Sequence, residues 1–363
     1  MKIPAVTVLI DTFNHERFIE EAVVSVLEQD FPATEMEILV VDDESTDRTP
    51  EILRKFAPRV RVLTKKNGGQ ASAFNAGIPE CRGEIVAFLD GDDWWAREKL
   101  SRVMAAMAED PAVGIVGHGI TVVHRDGREQ QEILRDGFLF QANNVEGARL
   151  FRVRRSFMGT SRMTIRAPLL AKIGRIPEMM PVGAQNARFL CADIYLFTLA
   201  AVLSPARILA EPLTYYRLHD ANLYQMSEMD RARALGKQAA IAALAEALSA
   251  ELTRREVSQP VREILTRAVR NEADQLRLIL GSGWPWETVR TEWSIYRMLH
   301  PDAAFAHRVF KVLTLLPALA APPGLFYKVQ RKFASSDWYL RARKRVLPIP
   351  QMTHIEKPLN SNR

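Results

Sequence analysis

The stretch Phe88-Leu89-Asp90-Gly91-Asp92-Asp93-Trp94-Trp95 ends a largely apolar run that begins at residue 84. A short apolar run bounded by a turn is typical of a buried strand, so three carboxylates are predicted on the turn that follows it. Asp90, Asp92 and Asp93 would repel one another unless a hard cation such as Mg²⁺ or Mn²⁺ compensated their charge. The turn is therefore a candidate metal site. The alternative is a solvated acidic turn that caps a helix beginning near Ala96.

The chain upstream of this turn alternates between predicted strands and predicted helices. Apolar runs predict strands at 6–10, 37–41, 60–63 and 84–89. Helical spacing and helix-start signals predict helices at 19–27, from Pro50 with Thr49 as the N-cap, and at 71–78. This alternation predicts an α/β fold with a parallel sheet and helices on both of its faces.

Polar residues follow each predicted strand, and ligands of such sheets bind beyond the carboxyl ends of the strands. Asn14 follows the first strand and Asp43 the second. The turn 68–70 follows the third, and Asp90 and Asp92 follow the fourth. We therefore expect these side chains to line one crevice.

Four segments together resemble the family 2 glycosyltransferases, which have the GT-A fold. They are Val-Thr-Val-Leu-Ile-x-Thr-Phe-Asn at 6–14, Val-Val-Asp-Asp-x-Ser-Thr-Asp-x-Thr at 40–49, the stretch 67–77, and Phe-Leu-Asp-x-Asp-Asp at 88–93. The resemblance is strong over 4–125 and continues more weakly to 224. It implies a doubly wound, mixed or parallel sheet with a Rossmann-like nucleotide-binding half over 1–224. An α-helical C-terminal region is expected over 225–363.

The resemblance also implies an activity. A family member of this kind transfers one sugar from a nucleoside diphosphate sugar, usually UDP-linked, to a hydroxyl of a glycan or lipid-linked acceptor, with inversion and with Mn²⁺ or Mg²⁺ as cofactor. Synthesis of cell-surface polysaccharide or glycoconjugate is the expected setting. The Gln-x-x-Arg-Trp signature of processive synthases is absent from the sequence, which favours transfer of one sugar per encounter.

Residue roles follow from the resemblance position by position. Thr12, Phe13 and Asn14 would line the nucleoside pocket, and Asp43 would accept a hydrogen bond from N3–H of the uracil base. Asp90 would bind the ribose or the donor sugar. Asp92 would coordinate the metal, with Asp93 supporting it. The remaining residues implied to bind the nucleotide sugar are Ser45, Gly69, Gln70, Asn75 and Gly91.

The sequence departs from the family pattern at two positions in this half. Asp11 stands where the family usually has proline or a small residue, and Phe74 stands where it usually has arginine. Loss of the arginine removes a contact to phosphate or sugar. The resemblance therefore specifies the identity of the donor less closely than it specifies the fold.

Candidates for the catalytic base come later in the chain. Residues 189–196 resemble the Glu-Asp pair at the start of a family helix, with Ala192 in place of the glutamate and Asp193 retained. Asp193 is the predicted general base, and its alternative role is to cap the apolar helix 194–203. In segment 213–222, His219 is a further candidate metal ligand and Arg217 a candidate diphosphate partner. A purely structural role is the alternative for His219.

Composition sets limits on the class of protein. The chain has 363 residues, 47% of them hydrophobic, which is enough for one large domain and an appendage. Cys81 and Cys191 form no disulfide framework, and the first apolar run is too short for a signal peptide, so a cytoplasmic location is expected. The net charge of +6 raises the question of nucleic acid, but no nucleic-acid module is recognisable, so no nucleic-acid partner is expected.

The C-terminal region is predicted to be helical, with amphipathic helices that pack on the catalytic domain, form a homo-oligomer or contact the acceptor. The apolar stretch 310–327 contains Lys311, Pro317 and Pro322, which argue against a membrane span. Basic and aromatic residues follow it. We expect residues 303–345 to bind an anionic membrane surface on the cytoplasmic face of the inner membrane, the alternative being a core helix pair with a solvated basic face.

Two other classes of protein remain open from the sequence. A sugar nucleotidyltransferase shares the sheet and an acidic metal site, but it would show a glycine-rich basic loop after the first strand. A nucleotide-sugar-binding protein without transferase activity is suggested by Ala192 and Phe74.

Overall fold

The computed structural model of the protein describes residues 3–132, 136–154, 159–178, 192–219, 231–300 and 303–334. The chain divides into two compact units, Met1–Arg270 and Asn271–Arg363. The domain boundary predicted between residues 224 and 225 lies outside the described residues.

The first unit is built on a sheet that contains ten strands in the described part of the chain. They are β1 (Val6–Thr12), β2 (Met36–Asp42), β3 (Arg61–Thr64), β4 (Ile85–Asp90), β5 (Trp94–Trp95), β6 (Ile115–Val123), β7 (Glu129–Gln131), β8 (Phe138–Phe140), β9 (Thr164–Arg166) and β10 (Ala206–Arg217). The helices are α1 (Ile19–Leu27), α2 (Thr49–Arg54), α3 (Gln70–Gly77), α4 (Lys99–Glu109), α5 (Val145–Arg154), α6 (Ala167–Ile173), α7 (Ala192–Leu203), α8 (Arg231–Arg254) and most of α9 (Gln259–Ile279).

The sheet is parallel in its N-terminal half and mixed beyond it. Its main strand order is β3-β2-β1-β4-β9-β6-β10-β5. Strands β1 to β4 run parallel, as predicted, whereas β9 runs antiparallel to both β4 and β6. Thr12 lies opposite Asp42 and Asp11 lies opposite Asp90 in the register. The carboxyl ends of β1, β2 and β4 therefore meet at one edge.

The four predicted N-terminal strands and the helices between them are confirmed, but the ends of some elements differ. Thr49 is the first residue of α2 rather than its cap, and its backbone N–H donates to Asp47 Oδ1 at 2.9 Å. Helix α4 begins at Lys99, after β5, so the acidic turn does not cap a helix starting near Ala96. Residues 213–217 of the segment that carries Arg217 and His219 form the end of β10.

Phe74 illustrates how the core is packed. Its side chain is fully buried, and its ring meets the ring of Phe88 edge-on with centroids 5.1 Å apart. Burial of a phenylalanine side chain is worth about 1.5–3 kcal/mol, so this position stabilises the contact between α3 and β4. The departure from the family's arginine therefore has a structural reason.

The described part of the second unit is helical. It contains the end of α9 together with α10 (Pro285–Leu299), α11 (Phe305–Ala320) and α12 (Pro323–Ala334). The core of this unit is formed by Leu278, Leu315, Ala318, Phe326 and Tyr327.

A buried carboxylate also joins the helices of the second unit. Glu292 accepts hydrogen bonds from Gln275 at 2.9 Å and from Lys311 at 3.1 Å. Among the described residues, no helix has the length and apolar character needed to cross a membrane. Residues 335–345, the last part of the predicted membrane-binding segment, lie outside the described residues.

Candidate active site

Three strand ends touch at the edge where the predicted site residues lie. The backbone N–H of Gly91 donates to the carbonyl of Asp11 at 2.9 Å, and that of Asp43 donates to the carbonyl of Thr12 at 2.9 Å. These bonds extend the parallel pairing past the strands and hold the turns after β1, β2 and β4 side by side.

Gly91 is required by this close approach. A Cβ atom at residue 91 would lie 2.8 Å from Thr12 Oγ1, 2.8 Å from His15 Nδ1 and 3.0 Å from the carbonyl oxygen of Asp11. Any larger side chain would push the acidic turn away from the end of β1. The glycine between the carboxylates thus has a packing reason.

The turns after β1 and β2 are tied together by Asn14, which has a positive φ of 56°. Its backbone N–H donates to Ser45 Oγ at 2.9 Å, and its Oδ1 accepts from the backbone of Thr46 at 2.8 Å. Next to it, the side chain of Phe13 is 40% exposed. Asn14 and Ser45 therefore fix the backbone where the nucleoside pocket is predicted, and the side chain of Phe13 is partly exposed beside them.

Asp43 organises the turn after β3. Its side chain is buried and accepts hydrogen bonds from the backbone of Gly68 at 3.0 Å and of Gly69 at 2.6 Å. Lys65 Nζ lies 2.6 Å from the same carboxylate. Each carboxylate oxygen has two lone pairs, so this network still leaves acceptor capacity for a ligand donor.

Gln70, which follows Gly69, links the turn after β3 to the acidic turn that carries Asp90. Its Nε2 donates to Asp90 Oδ1 at 2.8 Å and lies 3.3 Å from Thr160 Oγ1. Two hydrogen bonds, made by the consecutive residues Gly69 and Gln70, therefore connect this segment to Asp43 on one side and to Asp90 on the other.

The three carboxylates of the acidic turn lie close enough to share a cation. One oxygen from each of Asp90, Asp92 and Asp93 lies within 4.8 Å of the others. Asp93 is buried, with one oxygen accepting from Ser161 Oγ at 2.6 Å and the other from the backbone of Arg217 at 3.1 Å. His219 Nε2 lies 2.9 Å from Asp92 Oδ2.

The surroundings shift the pKa values of these three carboxylates in different directions. Burial, followed by the neighbouring charges of Asp11 and Asp92, raises the pKa of Asp90 well above its usual value. Burial, with the charge of Asp92, also raises the pKa of Asp93. Burial alone would raise the pKa of Asp92 too, but the hydrogen bond to His219 and the nearby His15 hold it below the ordinary value. Asp92 is thus the carboxylate of the turn whose anionic form these surroundings favour.

Arg217 braces the same turn. Its Nε donates to the carbonyl of Asp92 at 3.1 Å, its guanidinium pairs with Glu21, and it lies over the Trp94 ring at 4.3 Å from the centroid. These contacts fasten β10 and α1 to the turn that carries Asp92.

The predicted base lies at the start of α7, as expected for residues 192 and 193. Asp193 Oδ1 accepts from the backbone of Ile194 at 2.7 Å. The charge of Asp193 is the smallest of the named causes of the raised pKa of Asp90, after burial and the charges of Asp11, Asp92 and Asp93.

Asn75 lies among different contacts from the other predicted residues. Its side chain exchanges hydrogen bonds with the backbone of Ile176, both at 2.8 Å, and donates to Glu178 at 2.9 Å. The structure therefore places Asn75 as a tether of segment 176–178.

Three residues near the site were not assigned a role from the sequence: Asp11, His15 and Ser161. His15 Nδ1 lies 3.2 Å from Thr12 Oγ1, and burial lowers the pKa of its ring. Burial, with the charge of Asp92, raises the pKa of Asp11 to about 7. The position of His15 directly after Asn14 could have indicated its place, whereas Ser161 carries no motif and lies 68 residues from its partner Asp93.

The donor set fits a hard divalent cation. Asp92 offers a carboxylate oxygen as a ligand, the carboxylate oxygens of Asp90 and Asp93 lie close to it, and the imidazole of His219 is in contact with Asp92. Carboxylate oxygens with one imidazole suit Mn²⁺, and oxygens alone suit Mg²⁺. Asp93 is already bonded to Ser161 and Arg217, which suits support of the turn as well as ligation.

Comparison with known proteins identifies the family. A family model described as Glycosyl transferase family 2 matches residues 7–170. An uncharacterized glycosyltransferase of Nostoc sp. is 30% identical over 248 residues, which cover 65% of this chain and 70% of the Nostoc protein. The chain therefore belongs to the family 2 glycosyltransferases, and the resemblance seen in its sequence is confirmed.

Two further relatives extend the comparison. The poly(ribitol-phosphate) β-N-acetylglucosaminyltransferase TarS of Staphylococcus aureus is 36% identical over 107 residues, which cover 28% of this chain but only 19% of TarS. The structure of the mannosyltransferase PcManGT from Pyrobaculum calidifontis, in complex with GDP-Man and Mn²⁺, matches with a TM-score of 0.52 at 20% identity. That match covers 95% of this chain and 85% of PcManGT. It supports the predicted GT-A type fold with a helical C-terminal region.

Proposed function

We propose that this protein transfers a single sugar from a nucleoside diphosphate sugar, most directly a UDP sugar, to a hydroxyl of a glycan or lipid-linked acceptor in cell-surface polysaccharide or glycoconjugate synthesis. The observation that carries the proposal is that Gly69 and Gln70 connect Asp43 to Asp90 by hydrogen bonds at one edge of the sheet, next to Asp92 with its lowered pKa. The name of TarS supports an N-acetylhexosamine as one donor sugar to test.

In this proposal the nucleoside lies over the turns after β1 and β2. Thr12, Phe13 and Asn14 line it, and Asp43 accepts from N3–H of uracil. Cytosine has no such N–H, so the carboxylate discriminates between the two pyrimidines. The open face of Phe13 gives the base an aromatic surface on which to stack.

Asp92, with Asp93 and His219, would hold Mn²⁺ or Mg²⁺ beside the diphosphate. Such an ion supplies charge stabilisation for the leaving diphosphate without proton transfer. Asp90, with its raised pKa and its bond to Gln70, is suited to hydrogen-bonding a hydroxyl of the ribose or donor sugar. Arg217 keeps the turn in place by binding the carbonyl of Asp92.

Asp193 acts as the general base in this scheme. It removes the proton from the acceptor hydroxyl as the hydroxyl oxygen bonds to the anomeric carbon and the bond from that carbon to the diphosphate breaks. Attack from the face opposite the diphosphate inverts the anomeric configuration. Ala192 leaves Asp193 as the carboxylate at the start of α7 that can take this role.

A panel of donors tests the proposal. Thermal unfolding is measured with UDP-, GDP- and CDP-linked sugars, each with Mn²⁺ and with a chelator. A UDP sugar should raise the melting temperature only when the metal is present. The rise should be measurable, because a ligand at about 100 times its Kd stabilises the folded state by about 2.7 kcal/mol. We also expect the protein to hydrolyse this donor or to transfer its sugar when the metal is present. If no nucleoside diphosphate sugar stabilises the protein, the proposed function is wrong.

A further inference from the structure

Helix α11 has a second apolar face that the fold leaves exposed. Leu315 and Ala318 are buried in the core of the second unit. The opposite side carries a row of apolar side chains that are between 39% and 82% exposed: Phe305, Val309, Val312, Leu313, Leu316 and Leu319. At about 100° per residue these six side chains fall within roughly a third of the helix circumference. We call these six residues the outer stripe.

Helix α12 adds to this apolar surface. Leu325 and Val329, four residues apart, are 53% and 54% exposed. Of the fifteen large hydrophobic side chains that are exposed in the described part of the chain, eight lie between Phe305 and Val329. Singly exposed apolar residues need no explanation, but a concentration of this kind marks an interaction surface.

The charge of the same segment is of one sign. Residues 303–334 contain no aspartate or glutamate. Their basic residues are Arg308, Lys311, Lys328, Arg331 and Lys332, and the sequence of residues 335–345 adds Arg341, Arg343, Lys344 and Arg345 against one acid, Asp337. Lys311 is paired with the buried Glu292, whereas Arg308 and Lys328 are on the exposed surface.

We propose that the outer stripe and the exposed side of α12 dock onto an anionic lipid bilayer, with α11 lying in the plane of the membrane surface. Apolar side chains enter the acyl boundary, and the flanking arginines and lysines contact acidic headgroups. A helix that lies at the interface need not cross the bilayer, so Pro317 within α11 is no obstacle. This inference concerns the second unit and does not depend on the proposed donor site.

The charge distribution distinguishes this occupant from a second copy of the chain. Pairing two outer stripes would bring two basic surfaces together with no acidic residue between 303 and 334 to compensate them. An anionic bilayer supplies the opposite charge. The predicted binding is accordingly strong at low ionic strength and weaker as salt screens it.

Vesicle sedimentation of the full chain tests the proposal. The probes are phosphatidylcholine vesicles with and without about 30% phosphatidylglycerol. The variant Leu313→Glu/Leu316→Glu places charge in the outer stripe, and Leu235→Glu, at a position 43% exposed on α8, is the matched control. Arg308→Glu/Lys328→Glu removes the basic flank. Circular dichroism and donor-induced thermal shifts confirm that each variant is folded.

The wild type and Leu235→Glu should sediment with the anionic vesicles, and both double variants should lose about tenfold or more in partitioning. The proposal is overturned if the wild type does not sediment, or if all four proteins sediment equally. A third outcome also overturns the proposal. Analytical ultracentrifugation would show that the wild type is a dimer and that Leu313→Glu/Leu316→Glu is a monomer, while both proteins sediment equally with the vesicles. The outer stripe would then be a subunit contact. None of these outcomes bears on the proposed donor site.

Discussion

Each carboxylate of the proposed site is held differently, and its surroundings indicate its role. Asp93 has both oxygens bonded to the protein, through Ser161 and the backbone of Arg217. Asp92 faces His219 and has a lowered pKa, which suits a metal ligand. Asp90 has a raised pKa and a bond from Gln70, which suits a partner for a sugar hydroxyl.

Replacement of Asp193 should separate binding from chemistry. Asp193→Asn keeps the shape of the side chain but cannot accept the acceptor's proton, so kcat should fall by about 10²–10⁴-fold while the donor Kd changes by less than about twofold. Steady-state kinetics and donor titration measure the two quantities. Asp126→Asn, on an exposed turn, is the control and should behave as the wild type. A parallel loss of donor affinity in Asp193→Asn would place this residue in the donor pocket instead.

Asp11 should make the stability of the metal-free protein depend on pH. Its pKa is raised to about 7, so between about pH 4 and pH 7 the folded state holds a proton that the unfolded state has lost. Stability therefore falls as the pH rises through this range. Asp11→Asn does not titrate, and it should be more stable than the wild type by about 4 kcal/mol at pH 8 but by only about 1.5 kcal/mol at pH 5.

Urea unfolding in the presence of a chelator at the two pH values measures this difference. Asp90 also has a raised pKa and remains in the variant, so part of the pH dependence should persist. Equal stability of the two proteins at pH 8 would contradict the burial assigned to Asp11.

The approach of β1 to β4 depends on a glycine that precedes β4. A Cβ atom at Gly83 would lie 2.3 Å from the backbone nitrogen of Thr7, which cannot move without opening the pairing of the two strands. Gly83→Ala should therefore destabilise the protein by more than about 3 kcal/mol in thermal or urea unfolding. Gly159→Ala is the matched control, since its Cβ would meet nothing within 4 Å and its φ is −65°. An effect of similar size in both variants would contradict this reason.

The helices of the second unit depend on one buried acid. Glu292→Ala would leave Lys311 and the Gln275 amide without their acceptor, and loss of one partner of a buried ion pair costs about 3–5 kcal/mol. Glu263→Ala removes an exposed helix pair with Arg267 and should cost about 0.5 kcal/mol or less. Hydrogen exchange of α10 and α11 measures the local effect. Unchanged protection in Glu292→Ala would contradict it.

The sequence predicted best what depends on local pattern. Apolar runs located β1, β2 and β4, and their polar ends correctly indicated one edge of a parallel sheet. Contacts between segments that are distant in the sequence left no local signal. Ser161 donates a hydrogen bond to Asp93, and Arg217 at the end of β10 forms an ion pair with Glu21 on α1. The start of α4 was also predicted too early, because β5 forms only by pairing with β10.

The two functions that we propose are assigned to different units of the molecule. Every proposed site residue lies between Thr12 and His219, within the first unit, and we retain 1–224 as the proposed catalytic domain. The second unit carries a different feature, the outer stripe of α11, whose exposure no sequence pattern could distinguish from core packing. The helical spacing of this segment was readable from the sequence, but which of its two apolar faces is buried was not.

The central claim is that Asp92 helps to hold a divalent metal that binds the diphosphate of a sugar nucleotide. Calorimetric titration of a UDP sugar into the wild type and Asp92→Asn, each with Mn²⁺ and with a chelator, tests it most directly. We predict binding by the wild type only with Mn²⁺, and a loss of at least about 100-fold in affinity in Asp92→Asn. Equal affinity of the two proteins, or binding by the wild type that is indifferent to the metal, would contradict the account.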